Sequence, residues 1–577
     1  GGSYNAGANQ DNEGGVNTGH GQVVITGHHR ATQGVGIYAS ADLTIDNSTI
    51  NNNEIITAGS RGGPYGGGVF ATGSLDMSNS ETSGNGADGV YCTSSGASYS
   101  NINALNNGSY GIYSGGSATF TNCIAIGNGA DGLYDESGTS TFNNCVASSN
   151  TGGGIYTAGE GSFTDCTASN NASGRGIWCD GSGDFILCTT NNNFNDGIYA
   201  SQGSDFANCT AHSNGGDGLY AGGNSTFSGC LATGNDGGML ASGTGDFSGC
   251  VATGNTGDYG LYCGSTGTFF GCTSSSNGSG ISAGSGASTV DGCDVDNNSV
   301  SGISIGGSGT FNSLTISGNG GTGISVSNNS TFTDCELSNN AGSGIIIGSG
   351  TSYLTDITIS NSSSGRGIFN GGTGEFVNVT VSGSSSDGIY TGASTSLTNC
   401  ISTDNGGYGI WVENSAFLAN CTADNNDTGF YIGAFSSEII NCLSTNNSTY
   451  GMELLNSSTL IQNCTISDNN TGVFAGGTSG PAFVNVILYD NTTELDGESS
   501  STYTIDYSDV KGCSTYGACG TGANNIDADP SFESSNDYHL QDESPCINTG
   551  NPNVQYYDSD GSRNDMGMYG GPNGVQE

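Results

Sequence analysis

Apolar and polar positions along this chain repeat with a period of about 21 residues. A glycine, a bulky aliphatic residue and usually an aromatic one recur at Gly111-Ile112-Tyr113, Gly132-Leu133-Tyr134, Gly154-Ile155-Tyr156 and onward. From Gly68 to Gly472 there are 20 such glycines, and the 19 intervals between them span only 20 to 23 residues. Within each unit, two short alternating runs are parted by Gly, Ser and Asn, which predicts strands and turns and no helices.

Fixed offsets from the glycine carry fixed chemistry. Nine or ten places on stand Phe120, Phe142, Phe163, Phe185, Phe206, Phe227, Phe247, Phe269, Phe311, Phe332 and Phe376. Twelve or thirteen places on, nine consecutive coils place Cys123, Cys145, Cys166, Cys188, Cys209, Cys230, Cys250, Cys272 and Cys293, with Cys335, Cys400, Cys421, Cys442 and Cys464 later. Near offset seventeen come Asn106, Asn128, Asn193, Asn214, Asn235, Asn255, Asn277, Asn319, Asn340, Asn405 and Asn426. Units this short cannot bury an apolar face alone, so they must stack as parallel coils with like residue over like. The expected architecture is an all-β solenoid of about 22 coils, on the order of 100 Å long at a strand spacing of roughly 4.8 Å.

The segments Phe332-Thr333-Asp334-Cys335-Glu336-Leu337-Ser338-Asn339-Asn340 and Gly344-Ile345-Ile346 resemble the repeats of the right-handed parallel β-helix superfamily of pectate-lyase-like proteins. The resemblance covers roughly residues 22–491 and implies a right-handed coil in a secreted bacterial protein. It is weak on activity, because lyases, hydrolases, adhesins and surface fibres share the coil. Residues 1–21 read as a lead-in or cap, 54–67 as the one loop insertion, and 492–577 as a closing segment that resembles those of secreted β-helix proteins and is expected to cap an open end.

Composition narrows the partners. Six Lys and Arg against 52 Asp and Glu give a net charge of -46, which argues against nucleic acid and anionic lipid. No stretch approaches the roughly 18 apolar residues of a membrane span, and the scarcity of Lys beside abundant Asn, Ser, Thr and Gly predicts an extracellular or cell-surface protein whose chain begins at a processed or truncated start.

Several side-chain sets could carry chemistry. Leu314, Ile357 and Val379 replace cysteine in other coils, so the cysteine position points into the core, where Cys serves as a small hydrophobe. Disulfides compete with that reading: Cys179 with Cys188, Cys263 with Cys272, and Cys513 with Cys519 are close enough in sequence to close within one coil or within the closing segment. The Asn row predicts a turn ladder. Tyr91, Tyr113, Tyr134, Tyr156, Trp178, Tyr199 and Tyr220 are expected to face outward as an aromatic stripe able to stack sugars or pack against another copy. Asp558, Asp560, Ser562 and Asp565 around Gly561 offer oxygen ligands for calcium, without the closing glutamate of a full loop. Asp88, Asp131, Asp196, Asp217 and Asp387 read as turn residues.

Catalysis on this coil needs a walled groove and, for glycoside hydrolysis, two carboxyls at a set separation. No interval between Gly68 and Gly472 admits a long loop, and Arg175 and Arg366 lie far apart. His28, His29 and Arg30 with the 54–67 loop remain the one catalytic candidate. The sequence therefore favours a non-catalytic adhesin, scaffold or filament subunit, with a carbohydrate-binding protein and a polysaccharide lyase or hydrolase as the alternatives.

Overall fold

The computed structural model describes residues 24–25, 36–39, 42–53, 67–433, 436–513 and 522–574. The 1–21 lead-in, the loop at 54–66, His28, His29, Arg30 and Cys519 lie outside the described residues. The chain divides into two compact units, 1–284 and 285–577. Each is wound as a parallel β-solenoid.

One coil of the first unit shows how sequence makes the winding. Ile112–Gly116 lies on the first wall, Thr119–Thr121 on the second and Ile124–Ile126 on the third. The next coil repeats these in register, with Leu133 over Ile112, Phe142 over Phe120 and Ala147 over Ala125. Gly111 is required by close approach, since a Cβ there would sit 2.4 Å from the Gly132 carbonyl oxygen. Asn122 turns the chain from second to third wall at φ 52°, a left-handed conformation that Asn tolerates better than most residues. The same bend is made by Asn101, Asn144, Asn208, Asn378, Asn399 and Asn420. At the exposed edge these amides chain together, Asn101 to Asn79, Asn122 to Asn101 and Asn144 to Asn122, each at 2.9 Å.

Stacked phenylalanines fill the core of the first unit. From Phe120 to Phe269 successive ring centroids are 4.6 to 5.0 Å apart and nearly parallel. Each such pair adds about 0.5–1.5 kcal/mol beyond its buried area. The cysteines line the adjoining bend, fully buried. Their thiols donate to the phenylalanine carbonyl one coil back: Cys145 to Phe120 at 3.5 Å, Cys166 to Phe142 at 3.3 Å, Cys250 to Phe227 at 3.2 Å. Cysteine here is a small hydrophobe that also satisfies a backbone acceptor. Bonding to the neighbouring thiol, then burial, pushes Cys209, Cys230 and Cys250 up to about 12, so these sulfurs are poor nucleophiles.

Neither disulfide expected within a coil forms. Cys179 and Cys263 belong to first-wall strands, whereas Cys188 and Cys272 stand at the bend between the second and third walls. Cys179 instead donates to the Gly159 and Ser182 carbonyls at 3.1 and 3.2 Å. Cys513 is disulfide-bonded.

A second ladder closes the third corner. Asn235 accepts from the backbone N–H and the side-chain amide of Asn214 at 2.9 and 3.0 Å, and donates to the Ala211 carbonyl at 3.1 Å and Asn255 at 3.2 Å. The row includes Asn107, Asn150 and Asn171. Asn106, expected in it, takes φ 53° beside Asn107 instead. Asn107 also begins an Asn-x-Ser triplet, and its burial at 2 % exposure removes it as a glycan acceptor.

In the second unit the winding continues past Asn491: Leu495 stacks on Val473, Ile505 on Phe483 and Asp509 on Ile487. The closing segment then returns along the side of these coils. Met566 and Cys546 pack on Ile487 of the third wall, and Met568 donates its N–H to Thr465 at 3.1 Å. At the bend row, Asn441 donates to the Met568 and Gly570 carbonyls, both at 2.7 Å. This part of the closing segment lies as a lateral strap, because the outward bend amides offer donors for backbone carbonyls.

Two measurements test this account. Asn235→Leu strips partners from the buried Asn214 N–H and Ala211 carbonyl and is expected to lower unfolding free energy by about 2–4 kcal/mol in denaturant titration. Asn122→Leu, at a bend where Leu187 already adopts φ 56°, is expected to cost only ~1 kcal/mol. Thiol titration is expected to find at least eighteen reactive sulfhydryls in denaturant and almost none in the native protein.

Candidate functional site

The first wall of the first unit carries the aromatic row. Its rings are stacked rather than freely exposed: Tyr91 on Tyr113 at 4.1 Å, Tyr113 on Tyr134 at 5.3 Å, Tyr134 on Tyr156 at 4.6 Å and Tyr199 on Tyr220 at 4.6 Å. Phe70 extends the row at 5.6 Å from Tyr91. A strand spacing of about 4.8 Å falls within the range in which aromatic rings stack, so the faces that would meet a sugar are covered by the next ring. Tyr113 is only 7 % exposed, and its hydroxyl bonds Glu136.

Trp178 interrupts the stack. It meets Tyr156 at 72° and Tyr199 at 89°, and Arg175 occupies the opening, 3.7 Å over the Tyr199 ring and 4.6 Å over Trp178. The Arg175 Nε donates to Asp196 Oδ2 one coil on at 2.7 Å. Beside it lies a cavity of about 240 Å³ lined by Asp131, Tyr156, Ser173, Arg175, Trp178 and Asn195. The Trp178 Nε1 is buried without a hydrogen-bond partner. Burial pushes the Asp131 carboxyl above its ordinary range.

The second unit repeats the arrangement. Arg366 Nε donates to Asp387 Oδ2 at 2.7 Å, and the guanidinium lies 4.4 Å over Tyr390 and 5.5 Å over both Phe369 and Trp411. Ser173-Gly174-Arg175-Gly176-Ile177-Trp178 and Ser364-Gly365-Arg366-Gly367-Ile368-Phe369 are the local sequences, each answered one coil later by Asp-Gly-Ile-Tyr. The sequence names both arginines, and both aspartates as turn residues, but not their pairing; the available signal is the Asp at the same offset in the next coil.

The other first-wall acids serve the winding. Asp88 accepts from Tyr110 N–H at 3.0 Å, Asp131 from Gly153 N–H, Asp196 from Asp217 N–H at 3.0 Å and Asp387 from Tyr408 N–H at 3.0 Å. Asp217 accepts from the Tyr259 hydroxyl at 2.9 Å. On the second wall of the second unit, a groove of about 450 Å³ between Ala287 and Tyr353 is lined by hydroxyls of Ser288, Thr289, Thr310, Thr331 and Thr351 and by no charged group.

The carboxylates expected to take calcium accept hydrogen bonds from the closing segment itself. Asp558 accepts from the Asp565 N–H at 3.1 Å, the Ser562 hydroxyl at 3.2 Å and the Gly571 N–H. Asp560 accepts from Ser562 N–H at 2.8 Å and Asp565 from Asn548 N–H at 2.6 Å. These oxygens face hydrogens and close the strap. Among the described residues no group of three or more His, Cys, Asp or Glu is placed to hold a metal. Burial pushes both Asp565 and Asp509 up to about 6, and Asp509 accepts from the Cys546 thiol at 3.1 Å. A carboxyl raised on docking favours the docked state when protonated, so stability is gained as pH falls through 6 toward the unfolded value near 4. Amide exchange across 546–571 is expected to be slower, after correction for intrinsic rates, at pH 5 than at pH 7.5.

Among the described residues no helix is long and apolar enough to cross a membrane. No curated protein sequence matches the chain. Among solved structures, pectate lyase Pel9A aligns at 14% identity and TM-score 0.24 over 69% of this chain and 87% of that one. The A-module of mannuronan C-5 epimerase AlgE6 from Azotobacter vinelandii aligns at 13% identity and TM-score 0.17 over 80% and 91%. The family model described as "Right handed beta helix region" matches residues 33–187, 175–314, 301–442 and 418–537. Together with the in-register parallel coils, that coverage makes this chain a member of the right-handed β-helix family.

Proposed function

We propose that this protein is a non-catalytic extracellular β-helix that acts as a surface adhesin or scaffold through lateral contacts of its walls. The observation that carries the reading is that, among the described residues, every Lys and Arg side chain is engaged by its own chain. Arg175, Arg366 and Lys511 each pair with an Asp one coil on or back, and Arg563 donates to the Thr549 and Gly550 carbonyls. A general acid or base has to reach a substrate atom, whereas these groups reach the neighbouring coil. Incubation with a panel of polyuronates and neutral glycans is expected to give no new reducing ends and no unsaturated products; measurable turnover would defeat the proposal.

The Arg175 notch favours carbohydrate binding as a second reading, since a sugar hydroxyl could accept from the unpartnered Trp178 Nε1. Oligosaccharides that bind there are expected to change tryptophan fluorescence. Arg175→Ala is expected to weaken such binding about tenfold through loss of the guanidinium beside the indole.

A further inference from the structure

The third wall of the first unit carries no acid over nine consecutive coils. Its strand residues are 103–105, Ile124–Ile126, Val146–Ser148, Thr167–Ser169, Thr189–Asn191, Thr210–His212, Leu231–Thr233, Val251–Thr253 and Thr273–Ser275. The middle residue of each points inward and the outer two face solvent. Those outward positions present Leu105, Ile124, Ile126, Val146, Leu231 and Val251 among Thr, Ser and Asn, and His212 is their one titratable group. The corner that follows is Asn, Ser or Gly throughout, from Asn106 to Ser276. The chain has 52 acids, and the second wall of the same unit shows Asp184, Asp205 and Asp246 exposed at its outward positions.

Folding does not impose this neutrality. Glu81 stands at the equivalent position over Thr49, and in the second unit Asp294 and Glu336 both pair with Thr315. The coil therefore accepts carboxylates on this wall, and their absence over nine coils marks a surface that meets something. In the second unit the closing segment covers part of the same wall, with Met566 and Cys546 on Ile487 and Met568 on Thr465.

We propose that the third wall of the first unit is the face through which two copies of this chain associate side by side. This deepens the adhesin or scaffold reading and rests on it. Two molecules of net charge -46 repel, and like charges brought together across an interface cost several kcal/mol; a neutral face lets the copies meet without that cost. Aliphatic and threonine side chains in register at a strand spacing of about 4.8 Å can interdigitate with an identical array. Eight such spacings make the face ~40 Å long and a three-residue strand ~10 Å wide. At about 400 Å² it is half the ~800 Å² per partner of a standard interface. The association is therefore weak and reversible, suited to molecules concentrated on a surface.

Sedimentation equilibrium of the full chain over a range of concentrations, at low and high salt, tests the assignment. The expected result is a reversible dimer strengthened by salt. The double variant Leu231→Glu/Val251→Glu is expected to raise the dissociation constant at least tenfold. Thr226→Glu/Ser248→Glu on the second wall is expected to leave it unchanged, with circular dichroism matching the unsubstituted protein for both. Hydroxyl-radical labelling needs no substitution and is expected to show protection of Thr167 to Thr273 on the third wall as concentration rises. A monomer at every concentration, equal effects of the two variants, or association with the third wall unprotected would overturn the proposal. A monomer that instead shows thermal hysteresis in freezing would assign the face to ordered water and overturn it too. Turnover on a glycan would defeat the non-catalytic reading and leave the sedimentation result as it stands.

Discussion

In-register stacking of successive coils is the constraint on which every wall depends. Parallel pairing sets each side chain over its counterpart one strand spacing away, so a residue type prospers here only if it pairs well with itself. Phenylalanine does so by ring stacking, asparagine by donating to one neighbour and accepting from the other, and cysteine by donating a thiol hydrogen bond to a carbonyl of the coil behind. Charge does so badly. Only 10% of the residues are charged, as expected for a fold that multiplies every like-charge contact along a column.

The corners show the same economy at the level of the backbone. Each bend from second to third wall needs one residue at positive φ, and the sequence supplies Asn, Asp, Ser or Gly at nearly all of them. Such a residue both accepts the left-handed conformation and offers a side chain for its counterpart above or below. Leu187 and Tyr507 are the exceptions, at φ 56° and 50°; nothing in the structure explains Leu187, which is 52 % exposed. Where the bend amides are not spent on one another they hold the closing segment, which is how one structural row becomes a binding row within the same chain.

Period and offset made the architecture legible, because glycine at the close approach, Phe in the core and Asn at the corner each answer a local steric or hydrogen-bonding demand that recurs every coil. Residues whose role depends on a neighbouring coil were harder to read. Alternation along a strand predicts that Tyr134 faces outward, yet only the vertical distance to Tyr113 and Tyr156 reveals that its faces are covered. Cys179 and Cys188 are nine residues apart and look like a pair, but a wall change separates them. The strap was legible as a closing segment, whereas its path along the side was not, since contacts such as Asn441 with Met568 span 127 residues and leave no periodic trace.

The row just before each repeat glycine shows how the coil tolerates the charge it does carry. In the first unit it reads Asp88, Tyr110, Asp131, Gly153, Arg175, Asp196, Asp217, Gly237, Tyr259. Two carboxylates one strand spacing apart repel by about 3 kcal/mol at an effective dielectric constant near 20. Most acids in the row are therefore followed one coil on by a donor that is not an acid: Asp88 by Tyr110 and Asp131 by Gly153. Where two acids do follow one another, Arg175 answers Asp196, and Asp217 is pushed up to about 6, chiefly by burial and further by Asp196. The second unit repeats the solution as Arg366, Asp387 and Tyr408 in consecutive coils. Arg175 stands beside two stacked acids and Arg366 beside the single acid Asp387, with Asp196 and Asp387 each answered by the cation one coil back. Their position beside the aromatic row follows from the electrostatics of the coil and needs no substrate to account for it.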